Sequence, residues 1–331
     1  MFKTISIIGD GAMGTVLAML LAEKQLTVRM WGYDAEQLAR IEQARENVVF
    51  LPAYPIPEAV VFEACDANIF QDVDLIVSAV PCQFVRGVWV RLQPHVPSGV
   101  PIVTVAKGVE KETLKRPTEI LTEVLGPESP TAVLSGPTIA DELARHLPAT
   151  ACIACDAAVL LQNMQQTFNT AWFRVYTNPD LIGVELAGAC KNVIAIAAGV
   201  IDGIGAGDNA KAALLSRGLA EIVRLGVACG ARPETFAGLA GLGDLVTTCI
   251  SPSGRNRSFG ERIGRGMTMQ EALAATASVV EGAATCQSLV ALARKQGVEM
   301  PIAEAANKVL FEDVPVQTAI AELMQRELKA E

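Results

Sequence analysis

The sequence predicts an α/β fold, a doubly wound parallel sheet followed by a C-terminal all-α domain, on three observations. From Thr4 to about Val175, short runs rich in Val and Ile alternate with stretches of helical period, the pattern of βαβ units around a parallel sheet. From Glu185 onward the alternation gives way to long Ala-rich helical segments punctuated by Gly and Pro. The 331 residues suffice for two domains, each burying its own core. Asn178-Pro179-Asp180 marks the division into domains of 1–180 and 181–331, because proline disfavours helix in the residue before it and aspartate can cap the helix that follows.

In chain order, strands are expected at Thr4–Ile8, Thr27–Met30, Leu75–Val80, Ile102–Ala106, Thr131–Ser135 and Ala149–Cys152. Gly9-Asp10-Gly11-Ala12-Met13-Gly14 stands between the first strand and the helical Thr15–Glu23, the context that a Rossmann-type dinucleotide fingerprint requires. There the glycines permit a tight turn, close backbone approach to a pyrophosphate and close helix packing, with helix N-terminal amides facing the phosphates. A glycine-rich turn that binds nothing is the plainer reading. Asp34 follows Gly14 by twenty residues, where an acidic side chain would bond a ribose 2′-hydroxyl. Trp31-Gly32-Tyr33 intervene, so Asp34 reads equally as lying past the strand and facing water.

The run Asp74–Pro81 reads as a buried strand ending in a proline turn, on the edge where open sheets bind ligands. Lys107-Gly108 occupies the same position after Pro101–Ala106, and Ser135-Gly136-Pro137-Thr138 ends another apolar run. Taken singly, these are also a solvated charge and an ordinary turn. In Leu186–Ile201, Lys191 is the only charged residue among small and apolar neighbours. A helix apolar all round is buried, and burial lowers a lysine pKa from about 10.4 toward the range useful for proton transfer. The alternative is a lysine that snorkels to the surface. Asn192 beside it would orient a substrate oxygen, or is a partly exposed amide. Glycines surround one carboxylate in Gly238–Leu245, reading as backbone approach to a ligand around Asp244, and Gly254-Arg255-Asn256-Arg257 offers guanidinium groups for a phosphate or carboxylate.

Composition excludes several classes. The chain is 51% hydrophobic and 19% charged, with a net charge of −9, which argues against a nucleic-acid surface. Met1-Phe2-Lys3 runs directly into the first strand without a cleavable apolar segment, and the apolar stretch Val193–Ile201 falls well short of the ~20 residues of a membrane helix. A cytoplasmic protein with no membrane span is expected. Eight scattered cysteines read as small buried thiols, including the close pair Cys152 and Cys155, and with only His95 and His146 as histidines no metal is expected.

Together and in this order, the segments resemble the NAD(P)-dependent glycerol-3-phosphate dehydrogenase family over nearly the whole chain. The stretches that carry the resemblance are Gly9–Gly14, Asn47–Pro52, Lys107-Gly108, Ser135–Thr138, Glu185–Val193, Gly241–Cys249, Arg255-Asn256-Arg257 and Val279–Gly282. The resemblance implies that Lys191 is the general acid for reduction of dihydroxyacetone phosphate and the base in reverse. Lys107 would polarise the reacting oxygen and Asp244 would fix Lys191. Gly136, Thr138, Asn192, Thr248, Gly254, Arg255 and Asn256 would bind the small phosphate substrate together with Lys107, Lys191 and Asp244. Gly9, Gly11, Ala12, Met13, Gly14, Tyr33, Asp34, Pro81, Lys107, Ala140, Arg255, Val279 and Glu281 would contact NAD or NADP.

The resemblance also implies a homodimer and a supply of glycerol 3-phosphate for phospholipid synthesis. The chain departs from the family where many members have Ser and an aromatic residue in place of Ala12-Met13, and Ser in place of Gly254. Members that prefer NADP tend to carry Arg or Lys after the second strand. Trp31-Gly32-Tyr33-Asp34 has neither, so cofactor choice stays open with a lean to NAD. The competing readings are another β-hydroxyacid dehydrogenase of the same architecture and a nucleotide sensor that has lost its chemistry.

Overall fold

The computed structural model describes residues 2–276 and 278–328. Ten strands form: β1 (Thr4–Ile8), β2 (Thr27–Trp31), β3 (Glu46–Asn47), β4 (Leu51–Pro55), β5 (Val60–Phe62), β6 (Leu75–Ser78), β7 (Ile102–Thr104), β8 (Thr131–Ser135), β9 (Ala149–Cys155) and β10 (Phe173–Asn178). Eight of them make one sheet in the order β10-β9-β8-β7-β6-β1-β2-β5, while β3 and β4 pair separately. Each strand expected from the sequence is present. β5, β10 and the β3–β4 hairpin were not foreseen, because each is short or mixes polar and apolar residues without a clean period. The sheet is also not wholly parallel: β8 and β9 pair antiparallel, so the β9–β10 pair runs against the other six strands.

The chain winds outward from β1 to β2 and β5, then returns to lay β6 on the other side of β1. The ends of β1 and β6 therefore form the switch point where doubly wound sheets open a crevice. The helix Ala12–Glu23 starts there, with Gly14 through Ala22 buried against the strands.

The helix Leu181–Gly203 is the spine of the second half and begins where Asp180 accepts the Gly183 N–H at 2.9 Å. Around it lie Asp208–Ala228, Asp244–Ile250, Arg255–Gly264, Glu281–Lys295 and Pro301–Phe311. The apolar run Val193–Ile201 thus belongs to a helix of 23 residues that is long and apolar enough to cross a bilayer. Its length corrects the sequence estimate, and the apolar surface is spent inside the molecule, since residues from Leu181 to Gly199 are nearly all buried. Its closest neighbour is Arg255–Gly264, at a crossing built on glycine. A Cβ on Gly199 would lie 1.9 Å from the Arg257 carbonyl oxygen, and one on Gly260 would lie 2.0 Å from that of Ile196.

Candidate active site

The glycine loop packs tightly against the protein's own backbone at two positions and stands open at a third. Gly9 has φ +115°, a conformation open to glycine, and a Cβ there would strike the Ala79 carbonyl at 2.8 Å. A Cβ on Gly14 would lie 2.0 Å from the Gly9 carbonyl oxygen, whereas nothing approaches within 4 Å of one on Gly11. Gly11 caps the helix Ala12–Glu23 without a side chain, so its first amides, beginning at Ala12 and Met13, are free to meet an anion. A pyrophosphate fits this cradle. Asn47, fully buried, steadies it by donating Nδ2 to the Asp10 carbonyl oxygen and to Thr15 Oγ1, both at 2.8 Å. The sequence marked Asn47 as part of the resemblance and gave it no task.

Across the crevice a buried carboxylate holds two lysines. Lys191 Nζ donates to Asp244 Oδ1 at 2.7 Å and to Thr248 Oγ1, while Lys107 Nζ donates to Asp244 Oδ2 at 2.7 Å and to the Gly136 carbonyl at 3.0 Å. Lys191 is 5% exposed and Asp244 2% exposed. Burial, with the like charge of Lys107, pulls the Lys191 ammonium down to about 8 against the opposing pull of Asp244. Lys191 is therefore buried and does not snorkel. Lys107 is a tethered cation and not a solvated one.

Asn192, 4% exposed, donates Nδ2 to the Lys107 carbonyl at 3.0 Å, so that half of its amide holds the strand-end backbone instead of pointing at a ligand. Gly136 and Thr138 stand beside the lysines, with Thr138 Oγ1 also donating to the Gly136 carbonyl. Met13, Lys107 and Thr138 line one small recess.

Asp244 opens the helix Asp244–Ile250 directly after a π-helical turn, Leu239–Gly243. The glycines before it have a different purpose from the one expected of them. A Cβ on Gly241 would lie 2.1 Å from the Phe236 carbonyl oxygen, so this glycine serves internal packing, whereas one on Gly243 would make only ordinary contacts, the nearest at 3.7 Å.

The two arginines after Gly254 differ. Arg257 is committed to Asp202 at 2.7 Å and Glu261 at 3.2 Å, whereas Arg255 is exposed and, among the described residues, reaches only the Val279 carbonyl at 3.4 Å. Gly254 caps the helix Arg255–Gly264 without a side chain, leaving first-turn amides beside the Arg255 guanidinium. Asn256 Oδ1 accepts the Gly282 N–H at 3.0 Å, which fixes the Val279–Gly282 turn. Glu281 accepts the Cys82 N–H at 3.1 Å, just past Pro81, and burial raises its carboxyl while Arg255, Lys107 and Lys191 oppose the rise.

The expected residues fall into two groups. Lys107, Gly136, Thr138, Lys191, Asn192, Asp244 and Thr248 come together around the carboxylate. Arg255, Asn256, Val279 and Glu281 gather at the Val279–Gly282 turn, from which Glu281 reaches the helix that starts after Pro81, and Ala140 begins the helix Ala140–Ala144. Tyr33 and Asp34 sit apart at the end of β2: Tyr33 is 67% exposed, and Asp34 Oδ1 caps the helix Ala35–Ala44 by accepting from Glu36 and Gln37 N–H. Glu185, which also drew no role from the sequence, is buried. It accepts from Thr118 N and Oγ1 and from Arg116, tying the spine helix to the sheet half. Among the described residues, no His, Cys, Asp and Glu cluster has the makings of a metal site, and Cys152 and Cys155 are both buried free thiols.

The chain matches two family models, one described as NAD-dependent glycerol-3-phosphate dehydrogenase N-terminus over residues 4–160 and one as its C-terminus over residues 180–321. Two similar proteins, from Geobacter sp. (strain M21) and Caulobacter vibrioides, are both called glycerol-3-phosphate dehydrogenase (NAD(P)+). The Geobacter protein is 46% identical over 333 residues and the Caulobacter protein 46% identical over 330 residues; each match covers 100% of this chain and 99% of the relative. The crystal structure of glycerol-3-phosphate dehydrogenase from Coxiella burnetii superposes with a TM-score of 0.95 at 37% identity, covering 98% of this chain and 99% of that one.

Proposed function

The chain belongs to the NAD-dependent glycerol-3-phosphate dehydrogenase family, and we propose that Lys191, Lys107 and Asp244 form the centre at which it interconverts dihydroxyacetone phosphate and glycerol 3-phosphate. The observation that carries this assignment is the single Asp244 carboxylate shared by both ammonium groups at 2.7 Å. The bound nicotinamide, of NAD or NADP, supplies or accepts the hydride.

Reduction of the ketone builds negative charge on its oxygen, and two cations in a buried site stabilise that charge before any proton moves. Lys191, with a pKa near 8, is the proton donor in reduction and, once deprotonated, the acceptor in oxidation. Lys107 supplies fixed charge, and Asp244 aims both ammonium groups while keeping them from driving each other apart. Arg255 and the free amides of its helix hold the substrate phosphate, with Asn256 bracing the turn behind them. Gly136 and Thr138 line the substrate site, and the cradle from Gly9 to Gly14 holds the pyrophosphate. Glu281, Pro81, Ala140 and Val279 border the nucleotide.

In the cell this activity supplies glycerol 3-phosphate for phospholipid synthesis in the cytoplasm. The working form is a homodimer, and the helical half leaves apolar side chains such as Val227, Ile250 and Met267 exposed. The division of labour follows two domains, 1–180 for nucleotide and 181–331 for substrate and catalysis.

The test is absorbance loss at the reduced-nicotinamide band with dihydroxyacetone phosphate, offering NADH and NADPH separately. Turnover that requires this substrate supports the assignment. Tight nucleotide binding without turnover on either cofactor would overturn it in favour of a sensor.

A further inference from the structure

The loop carries a charged residue between its first two glycines, and its side chain turns toward the end of β2. Asp10 Oδ2 accepts from Gln37 Nε2 at 3.0 Å, and a Cβ on Gly32 would lie 2.9 Å from the Asp10 carboxyl. Gln37 also donates its backbone N–H to Asp34 Oδ1 at 3.2 Å, so one residue ties both carboxylates to one corner. Burial chiefly raises the Asp10 carboxyl, and the nearby Asp34 charge adds to the rise.

Among the described residues, the guanidinium seated against this corner, that of Arg91, is already matched. Arg91 lies over the Trp31 and Tyr33 rings at 5.1 and 5.3 Å, but its Nε and Nη2 hold the Asp66 carboxylate at 2.7 and 2.9 Å. Arg40 stands 4.0 Å from Glu36.

NAD and NADP differ only at the 2′ position of the adenosine ribose, which in this fold lies at the end of the second strand. We propose that Asp10, acting with Asp34, selects NAD over NADP. A 2′-hydroxyl can donate to a carboxylate, whereas a 2′-phosphate brings up to about two negative charges against two carboxylates with no uncommitted guanidinium in contact. Asp34 alone occupies the position usual for such a residue. The second carboxylate comes from inside the glycine loop, where the fingerprint sets no residue type, and it makes the exclusion double. The inference rests on the cofactor site described above.

The test is direct binding. NADH and NADPH are titrated by nucleotide fluorescence, and AMP and adenosine 2′,5′-bisphosphate by calorimetry, against the parent chain and against Asp10→Asn, Asp34→Asn and the double variant. Asparagine keeps the helix cap at position 34 and a polar partner for Gln37 at position 10. The parent is expected to bind NADH at least about tenfold more tightly than NADPH, and each substitution to narrow that gap by about tenfold through tighter binding of the 2′-phosphate forms. A parent that binds both nucleotides equally or prefers NADPH would overturn the proposal, as would variants that weaken both nucleotides alike, the signature of a merely structural role. A parent that binds neither nucleotide but retains its fold would remove the dehydrogenase reading and this proposal with it.

Discussion

The lysine centre and the corner at the end of β2 are both built from carboxylates and cations, yet they are opposite in construction. At the centre one carboxylate is shared between two lysines, nearly out of reach of solvent, and both of its oxygens and both ammonium groups are hydrogen-bonded. At the corner, carboxylates stand beside cations that are matched elsewhere, and Tyr33 is two-thirds exposed. The contrast teaches where a fold spends its buried charge. Proton transfer needs a shifted pKa and fixed geometry, which only burial provides. Discrimination between two soluble cofactors needs only an unfavourable encounter at the surface.

Substitutions can break that comparison. The largest effect is expected from Lys191→Ala. Asp244 keeps Lys107 as a partner, so the fold should persist while turnover with dihydroxyacetone phosphate falls roughly 10²–10⁴-fold, the usual worth of a general acid. NADH affinity measured by fluorescence should hardly change; a variant that still turns over near the parent rate would show that the proton comes from elsewhere.

Next is Asp244→Ala, which leaves two lysines facing each other in a buried site. Stripping one partner from such an arrangement costs about 3–5 kcal/mol, to be read as a lowered denaturant midpoint. A neutral result would mean that water reaches the centre.

pH sharpens the contrast next. With a Lys191 pKa near 8, kcat/KM for reduction should fall about tenfold per unit above that value, and oxidation should show the mirror rise up to it. The sign for stability follows from the same depression. Between about 8 and the unfolded value near 10.4, the unfolded chain binds the proton that the folded chain has lost, so this group makes folding more favourable as pH rises across that window. Chemical denaturation of Lys191→Met beside the parent at both ends of the window would isolate its share.

The smallest effect is expected from Asp34→Ala, which removes a surface helix cap at about 1 kcal/mol. A loss as large as that from Asp244→Ala would erase the distinction between the two regions.

Much of the scaffold was legible because its signals are local. A strand, a glycine loop and a helix in sequence announce the cradle, and one charge inside a long apolar helix announces Lys191. What stayed hidden depends on residues distant in the chain. Lys107 meets Asp244 across 137 positions, and nothing in either segment names the other. The residues alone leave Arg255 and Arg257 equivalent, and only the resemblance chooses Arg255; the ion pairs of Arg257 with Asp202 and Glu261 give the physical reason. Gly241 reads like a ligand-facing glycine until the Phe236 backbone is seen against it. The reversed direction of β9 leaves no mark in its composition, and Asp10 sits where the fingerprint tolerates any residue.

The glycine crossing between the spine helix and Arg255–Gly264 sets more than packing. Lys191 rides on one helix and Arg255 on the other, so the near contact at Gly199 and Gly260 acts as a caliper whose jaws are, on the function proposed above, the proton donor and the phosphate grip. A three-carbon phosphate is gauged by that opening. Any side chain inserted at the crossing would force the two helices apart and widen the gauge for every substrate at once.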